Sequence, residues 1–282
     1  MPPRQRLRRV CLVIGALALS AAFALRVRAR TAGEPFLPFT PEASRLRVLT
    51  WNVGKIYLGG RHDSRAADAD LARIASVIRE AGPDLVALQE LRDRGQLEHL
   101  LGLLGGAYVG SVPDEEINDR RVAALVRQQP DVAFSQIVTS TGRAAEVARI
   151  MLGARSLTFV SLHLDAFDPA LRATQAEEIL DWAQRAEDRD LIIAGDFNFD
   201  ADFLSATEPE HPDVRIYRLL TAHFQDVAGG GSGATTIVDR RLDYLFVRGR
   251  LRRRAVHVVE GRNMHLMDHM PVVADFEVAS AL

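Results

Sequence analysis

Two polar side chains stand at the end of an apolar strand pattern, and their types suit metal or phosphate chemistry. Residues 191–194 are aliphatic, Gly195 breaks the run, and Asp196 and Asn198 follow. Because residues i and i+2 of an extended chain point to the same side, these two side chains can converge on one point. Polar groups that follow buried strands often form the site of an open α/β sheet. A polar turn is the alternative, since Asp and Asn both favour turns.

Further polar residues recur at the ends of apolar segments along the whole chain. One such residue means little, whereas a distributed set predicts a single polar centre at one edge of an apolar scaffold. Carboxylates and carboxamides favour a hard cation, Mg²⁺, Mn²⁺ or Ca²⁺, and the single cysteine excludes a cysteine-based zinc site. Two histidines add groups that titrate near neutrality. The members are Asn52, Glu90, His163, Asp196, Asn198, Asp243, Asp268 and His269.

Six short motifs follow one another: Trp51-Asn52, Gln89-Glu90, Ser161-Leu162-His163-Leu164, Gly195-Asp196-Phe197-Asn198, Arg241-Leu242-Asp243-Tyr244 and Asp268-His269. Their order and their residues resemble the motifs of the endonuclease/exonuclease/phosphatase superfamily. That superfamily includes deoxyribonuclease I, exonuclease III, neutral sphingomyelinases and inositol-polyphosphate 5-phosphatases. The resemblance covers about residues 46–278. It implies a four-layer α/β sandwich, in which two packed mixed, mostly antiparallel sheets are flanked by helices.

The resemblance also implies a magnesium site. By matching position, Glu90 would be the principal Mg²⁺ ligand, assisted by Asn52 and Asp268, with Mn²⁺ or Ca²⁺ as alternatives. Asn52, Asn198 and His163 would contact the phosphate of the substrate. Hydrolysis of a phosphate ester requires neutralised charge, an in-line water and a stabilised leaving oxygen.

A set of proton-transfer groups follows from the same resemblance. Asp196 and Asn198 would orient the attacking water and a phosphoryl oxygen. His269 resembles the general base, held in one tautomer by Asp243, and His163 resembles a donor to the phosphate oxygen that gains charge. Some relatives are argued to use the aspartate matching Asp196 as the base, so both residues are candidates. An ion pair with Arg241 is the alternative role of Asp243.

Alternating strand and helix patterns position these residues. The apolar patterns predict strands at residues 46–53, 84–90, 121–127, 131–138, 146–152, 157–164, 191–196, 241–247, 255–260 and 271–278. Helical spacing predicts helices at residues 66–80, 96–104 and 169–185. We predict that the segment after Asp196 is irregular and that the glycine run at residues 229–233 is a mobile surface loop. The basic run at residues 248–254 reads as a solvated hairpin turn, with phosphate or membrane contact as the alternative.

The N-terminus has the pattern of an export signal. Four arginines precede an uncharged apolar run at residues 10–25, which is short for a membrane span of roughly 20 residues. We expect residues 1–30 to be a signal peptide or membrane anchor, residues 31–45 a proline-rich linker, and residues 46–282 the catalytic domain. Cleavage after Ala24 would remove those four arginines, taking the net charge from −2 to about −6, without the basic field of a non-specific DNA binder.

The combined expectation is an exported, Mg²⁺-dependent hydrolase that cleaves a phosphodiester by water attack. The substrate would be a nucleic acid or a lipid head group, and the protein is expected to be a monomer outside the cytoplasm, secreted, periplasmic or anchored to the membrane. Two alternatives stay open: a phosphomonoesterase of the inositol-phosphatase type, and a catalytically silent binding module on the same scaffold.

Overall fold

The computed structural model describes residues 45–55, 65–114, 121–129, 131–152, 155–227, 233–259 and 267–278. All of them belong to one compact unit, Leu37–Leu282. The predicted signal or anchor, nearly all of the predicted linker and most of the glycine run lie outside the described residues. Among the described helices, none has the length and apolar character needed to cross a bilayer.

Two six-stranded sheets form the centre of the fold. In chain order the strands are β1 (Arg45–Asn52), β2 (Leu85–Leu91), β3 (Tyr108–Ser111), β4 (Arg121–Arg127), β5 (Ala133–Val138), β6 (Ala144–Leu152), β7 (Arg155–His163), β8 (Asp190–Asp196), β9 (Gln225–Asp226), β10 (Asp243–Arg248), β11 (Leu251–Val258) and β12 (Val272–Val278). The first sheet has the order β11-β12-β1-β2-β4-β3 and the second β5-β6-β7-β8-β10-β9. Only β1–β2 and β7–β8 pair in parallel in the described strands.

In the described residues, five α-helices cover the outer faces of the sheets. They are α1 (Leu71–Ala81), α2 (Arg94–Leu103), α3 (Pro169–Arg185), α4 (Ala201–Thr207) and α5 (Pro212–His223). The predicted start of α3 is confirmed, because the Asp168 carboxylate accepts a hydrogen bond from Ala170 N and Pro169 occupies the first turn. Gly82, with φ +58°, ends α1 in the left-handed conformation that glycine adopts without strain.

Three apolar clusters divide the protein into four layers. One cluster lies between the sheets and includes Val48, Phe159 and Ile192. A second joins α1 and α2 to the first sheet, and a third joins α3 and α5 to the second sheet. The predicted four-layer sandwich of two mixed sheets flanked by helices is therefore confirmed.

The segment after Asp196, predicted to be irregular, contains α4 and α5, so that prediction was wrong. The Asp200 carboxylate accepts a hydrogen bond from Phe203 N and begins α4. The buried side chains of Val214, Ile216 and Leu220 hold α5 in the core. Helix α4 is a seven-residue element with a single buried residue, too short to show an apolar period.

The basic run at residues 248–254 was also predicted wrongly, because it is not a hairpin turn. Strands β10 and β11 belong to different sheets, so the segment between them crosses from one sheet to the other. Gly249 makes the crossing with φ +105°. A Cβ atom there would overlap the Asp190 carboxylate, and Arg252–Arg254 continue as exposed residues of the edge strand β11.

Candidate active site

Strand register brings three candidate side chains together at one edge of the second sheet. In the parallel pair β7–β8, His163 lies beside Asp196, and in the antiparallel pair β8–β10, Asp196 lies beside Asp243. Phe159 on β7 and Ala194 on β8 belong to the core between the sheets and share the strand face of His163 and Asp196. His163 and Asp196 therefore face the first sheet.

The first sheet contributes Asn52 and Glu90 at the matching edge. Asn52 ends β1 and pairs with Gln89 of β2. The next residue, Glu90, has φ +65°, where the β2–β4 register shifts. This bulge turns the buried Glu90 side chain out of the regular alternation of β2. Gly54 is needed beside it, because a Cβ at position 54 would overlap the Glu90 carboxylate.

Asn52 links the two sheets through its amide nitrogen. Nδ2 donates to Asp196 Oδ2 at 3.0 Å and to Glu90 Oε1 at 3.4 Å, while Oδ1 accepts from Gly54 N at 2.9 Å. In this arrangement Asn52 orients both carboxylates. Oδ1 is the atom through which Asn52 would bind a metal, and here it accepts the hydrogen bond from Gly54 N. The role of Asn52 as a metal ligand stays a prediction.

Asp196 uses its two oxygens differently. Oδ1 accepts a hydrogen bond from Asn198 N at 2.8 Å, which the left-handed backbone of Asn198 (φ +55°) allows. Oδ2 faces both histidines: His163 Nε2 and His269 Nε2 each lie 3.6 Å away. His163 Nε2 is also 4.0 Å from Glu90 Oε1. The Asn198 amide itself donates to Leu164 O at 3.0 Å.

His269 is fixed between two carboxylates. Its Nδ1 lies 2.8 Å from Asp243 Oδ2, and Trp51 Nε1 donates to the His269 carbonyl at 3.1 Å. Arg241 pairs with Asp226 and Asp202. Of the two roles that the sequence suggested for Asp243, the structure has the contact with His269 and not the ion pair with Arg241.

Burial and charge displace the pKa values of this cluster. Burial raises the pKa of Asp196 to about 7, against the opposing charge of His269. Burial alone would lower the pKa of His269, but the charges of Asp243 and Asp196 overcome it and raise this pKa to about 10. The imidazolium of His269 is therefore the stable form between its two carboxylates.

Asp268 is partly buried next to His269, and its charge contributes to the raised pKa of that histidine. Its backbone carbonyl accepts a hydrogen bond from Ile237 N at 2.9 Å. Of the eight candidate residues, the described contacts join Asn52, Glu90, His163, Asp196, Asn198, Asp243 and His269 into one cluster, with Asp268 adjoining it.

The donor set fits a hard divalent cation. One ligand atom from each of Asp196, Asp243 and His269 lies within 4.8 Å of the others, and all three residues are buried. Glu90 adds a further carboxylate, which accepts from the same Asn52 nitrogen as Asp196. Buried carboxylate oxygens without a thiolate suit Mg²⁺, Mn²⁺ or Ca²⁺.

Two buried threonines that the sequence did not single out support the His269 side of the site. Thr235 Oγ1 accepts hydrogen bonds from Leu242 N at 3.0 Å and Asp243 N at 3.2 Å. Thr236 pairs with His269 in an isolated antiparallel bridge. Both follow the glycine run and lie outside any strand pattern, so no periodic signal marks them.

Comparisons with known proteins identify the family and the fold. The model of the Endonuclease/Exonuclease/phosphatase family matches residues 49–263. No functionally curated protein matches the chain with significance. A family member from Bacteroides vulgatus is similar in structure, with 17% identity, a TM-score of 0.64, and coverage of 83% of this chain and 99% of that chain.

Two further solved structures have the same fold. TDP2 from Caenorhabditis elegans is 19% identical, with a TM-score of 0.61 and coverage of 83% of this chain and 74% of that one. The human Nocturnin catalytic domain with bound sulfate anion is also 19% identical, with a TM-score of 0.62 and coverage of 83% and 94%. At these identities the likeness establishes the fold alone.

Proposed function

The chain belongs to the endonuclease/exonuclease/phosphatase family, and from that premise we propose that it hydrolyses a phosphodiester with the help of a divalent cation, Mg²⁺ first among them. Members of the family are hydrolytic phosphoesterases and generally use a divalent metal. One observation carries the proposal: Asp196 Oδ2 lies within 3.6 Å of two histidine nitrogens and accepts a hydrogen bond from Asn52, across the junction of the two sheets.

Glu90 would hold the cation, assisted by Asn52 and by Asp268. Bound there, a divalent cation supplies a Lewis acid that neutralises charge on the phosphoryl oxygens. Glu90 suits this role because, at the bulge with φ +65°, its Oε1 is oriented by Asn52 Nδ2 and lies 4.0 Å from His163 Nε2. Asp268 brings a further carboxylate to the His269 side of the site.

Asp196 orients the attacking water through Oδ2. Its Oδ1 accepts a hydrogen bond from Asn198 N. The carboxylate therefore cannot rotate freely, and Oδ2 keeps its orientation. His163 Nε2, on the same face, is placed to donate to a phosphoryl oxygen that gains charge. Asn52 and Asn198 hold these groups in place around the phosphate. Asn52 Nδ2 donates to Asp196, and Asn198 Nδ2 donates to the Leu164 carbonyl that follows His163.

His269 and Asp243 form the proton-transfer pair. Asp243 keeps the proton on Nδ1, so Nε2 is the atom that exchanges a proton at the site, and it faces Asp196. Asp243 acts as a positioning residue. With a pKa of about 10, His269 carries its proton at neutral pH and can act as the base only after releasing it, so Asp196, whose pKa burial raises to about 7, is the second candidate for the base.

The test is hydrolysis by the full chain of a soluble diester, bis(p-nitrophenyl) phosphate, and of plasmid DNA, RNA, sphingomyelin and phosphoinositides, with Mg²⁺ or with EDTA. We expect hydrolysis with Mg²⁺ and none with EDTA. Glu90→Gln should lower the rate by about 10²-fold or more, whereas Glu98→Gln, an exposed glutamate of α2, should leave it unchanged. Full activity in EDTA, or in Glu90→Gln, would refute the proposal.

The same assay separates the alternatives. Faster release from p-nitrophenyl phosphate than from the diester would favour a phosphomonoesterase. A chain that binds Mg²⁺ in calorimetry but hydrolyses none of these substrates would be a binding module. We expect hydrolysis rather than binding alone, because His163 and His269 each lie 3.6 Å from Asp196 and His269 lies 2.8 Å from Asp243.

We further propose that the enzyme acts as a monomer outside the cytoplasm. The arginine-rich start and the apolar residues 10–25 support export or anchoring. Fractionation of producing cells, with N-terminal sequencing of the mature protein, tests this. Full-length protein in the cytoplasmic fraction would contradict it, and size-exclusion chromatography with light scattering tests the monomer.

A further inference from the structure

Exposed apolar side chains concentrate on the segments around the candidate active site. In the part of the chain that the structure describes, eight large apolar side chains are exposed. Single exposed apolar residues are ordinary, whereas a concentration of them beside a site marks an interaction surface. Four lie on the segments that follow His163, follow Asn198 or precede Asp243: Phe167, Phe203, Ile237 and Val238.

Ile237 and Val238 form the tip of a tight turn that is fastened to the His269 segment. Thr236 N donates to Arg240 O at 3.0 Å and Arg240 N donates to Thr236 Oγ1 at 3.1 Å, which closes the turn. Thr236 bridges to His269. The side chains at the tip are 43% and 69% exposed. The backbone bonds thus hold two aliphatic side chains in solvent at a fixed place beside His269.

Arg240 joins this turn to α4. Its guanidinium carbon lies 3.5 Å from the centroid of the Phe203 ring, and Phe203 is 43% exposed. Arg240 Nη1 is 3.9 Å from Asp200 Oδ2, and its side chain is 37% exposed. We call Phe203, Ile237, Val238 and Arg240 the rim patch.

We propose that the rim patch docks on a lipid bilayer and presents the phosphodiester head group of a membrane lipid to the site, a proposal that rests on the phosphodiesterase function above. Aliphatic tips and an aromatic ring gain free energy at the boundary between head groups and acyl chains. The Arg240 guanidinium, stacked by its face on Phe203, can donate from its N–H edge to lipid phosphates. The rim patch thus offers apolar side chains to the acyl chains and a cation to the phosphates of a phospholipid bilayer.

A nucleic acid fits the rim patch less well. Single strands bind by stacking bases on aromatic rings along a positive groove, and Ile237 and Val238 offer no such ring. One face of the Phe203 ring is covered by Arg240. The N-terminal pattern of four arginines before residues 10–25 independently predicts delivery to or across a membrane.

Direct insertion can be measured with a tryptophan at the tip of the turn. In the full chain, Val238→Trp should be quenched by vesicles of phosphatidylcholine with brominated acyl chains, because quenching requires contact with those chains. Leu219→Trp is the matched control, since Leu219 is a 37% exposed apolar residue on α5. Native Trp51 is fully buried, and the emission of both native tryptophans is common to the two variants. Equal quenching in the two variants, or none, would overturn the proposal.

Turnover gives a second measurement. Ile237→Ser/Val238→Ser should lower the hydrolysis of vesicle lipids, tested with sphingomyelin, phosphatidylcholine and phosphatidylinositol, by about tenfold or more. Hydrolysis of soluble bis(p-nitrophenyl) phosphate should be unchanged. The control Met151→Ser/Leu219→Ser removes two exposed apolar side chains from other segments and should affect neither rate.

The outcomes separate this proposal from the function on which it rests. If the soluble diester is not hydrolysed with Mg²⁺, the proposed function fails, while the quenching measurement still decides docking because it needs no turnover. If the soluble diester is hydrolysed but vesicles neither quench Val238→Trp nor serve as substrate, lipid docking is refuted and the phosphodiesterase stands. Loss of DNA or RNA cleavage in Ile237→Ser/Val238→Ser would assign the rim patch to nucleic acid instead.

Discussion

Asp196 is the residue around which the candidate site is arranged. Its Oδ1 is held by Asn198, and its Oδ2 meets Asn52, His163 and His269. A fully buried carboxylate needs such partners, because an unpaired buried charge is strongly unfavourable. Burial raises the pKa of Asp196 to about 7, although the His269 imidazolium and the hydrogen bonds from Asn52 and Asn198 act to lower it.

A double-mutant cycle tests whether Asp243 acts through His269. His269→Ala should lower kcat/KM on the soluble diester by about 10²–10⁴-fold. Asp243→Asn should also lower it, but should add little in the His269→Ala background, since the hydrogen bond at 2.8 Å would have no imidazole to orient. Additive losses would instead indicate that Asp243 contacts the cation directly, which its place beside Asp196 allows.

Gly54 tests the need for close approach beside Glu90. A Cβ at position 54 would overlap the Glu90 carboxylate, so Gly54→Ala must displace Glu90 from Asn52. We expect Gly54→Ala to weaken Mg²⁺ binding, measured by calorimetry, and to lower kcat about tenfold or more. Gly102→Ala is the matched control, because a Cβ there meets nothing within 4 Å. Wild-type affinity in Gly54→Ala would contradict the assignment of Glu90 as a ligand.

Among the elements, β6 carries a buried titratable group toward the other sheet. Glu146 is 2% exposed and accepts a hydrogen bond from Ser111 of β3. Burial raises its pKa to about 7, against the lowering effects of that hydrogen bond and of Arg94, while Asp114 adds to the rise. The proton on Glu146 is therefore held more tightly in the folded protein than in the unfolded chain.

Stability should consequently decline with pH between about 4.5 and about 7. Because the folded pKa lies above the unfolded one, the unfolding free energy is highest below the unfolded pKa and falls as pH rises to the folded one. Glu146→Gln should remove this decline and exceed the wild type by roughly 1–3 kcal/mol at about pH 8. Urea unfolding at about pH 5 and about pH 8 measures the difference. Parallel pH dependence of the two proteins would refute the assignment.

The elements also differ in how far the sequence predicted them. The first and last residues of helix α3 were predicted correctly, because Asp168 and Pro169 give a local start signal and the helical pattern extends over 17 residues. Helices α4 and α5 were missed, since α4 is seven residues long and α5 is held by burial of its apolar face. The crossing at Gly249 was read as a hairpin, because local sequence does not reveal which sheet each flanking strand joins.

For the whole molecule, the site lies where the two sheets face each other. Asn52 and Glu90 belong to the first sheet, and His163, Asp196 and Asp243 to the second. Two parallel pairs, β1–β2 and β7–β8, bring strand ends to one edge in each sheet. A cation held by Glu90 near Asp196 would therefore connect the sheets.

Mg²⁺ should thus stabilise the fold as a whole. At a free concentration about 100 times its Kd, Mg²⁺ should raise the unfolding free energy by about 2.7 kcal/mol, and EDTA should reverse the gain. Glu90→Gln should abolish the effect, and Glu98→Gln should retain it. Thermal unfolding with and without Mg²⁺ measures this, and an equal gain in Glu90→Gln would place the cation elsewhere.

The sequence by itself determined the family, because short motifs are local properties of the chain, and the resemblance to that family implied the sandwich of two mixed sheets and the candidate site residues. Only the tertiary structure decided how these residues meet: that Asp243 faces His269 while Arg241 pairs elsewhere, and that Asn52 spans the sheets. It alone placed the exposed side chains of Ile237 and Val238 beside His269. The physical reason is that strand pairing and burial join residues far apart in sequence, and no local pattern encodes those distances.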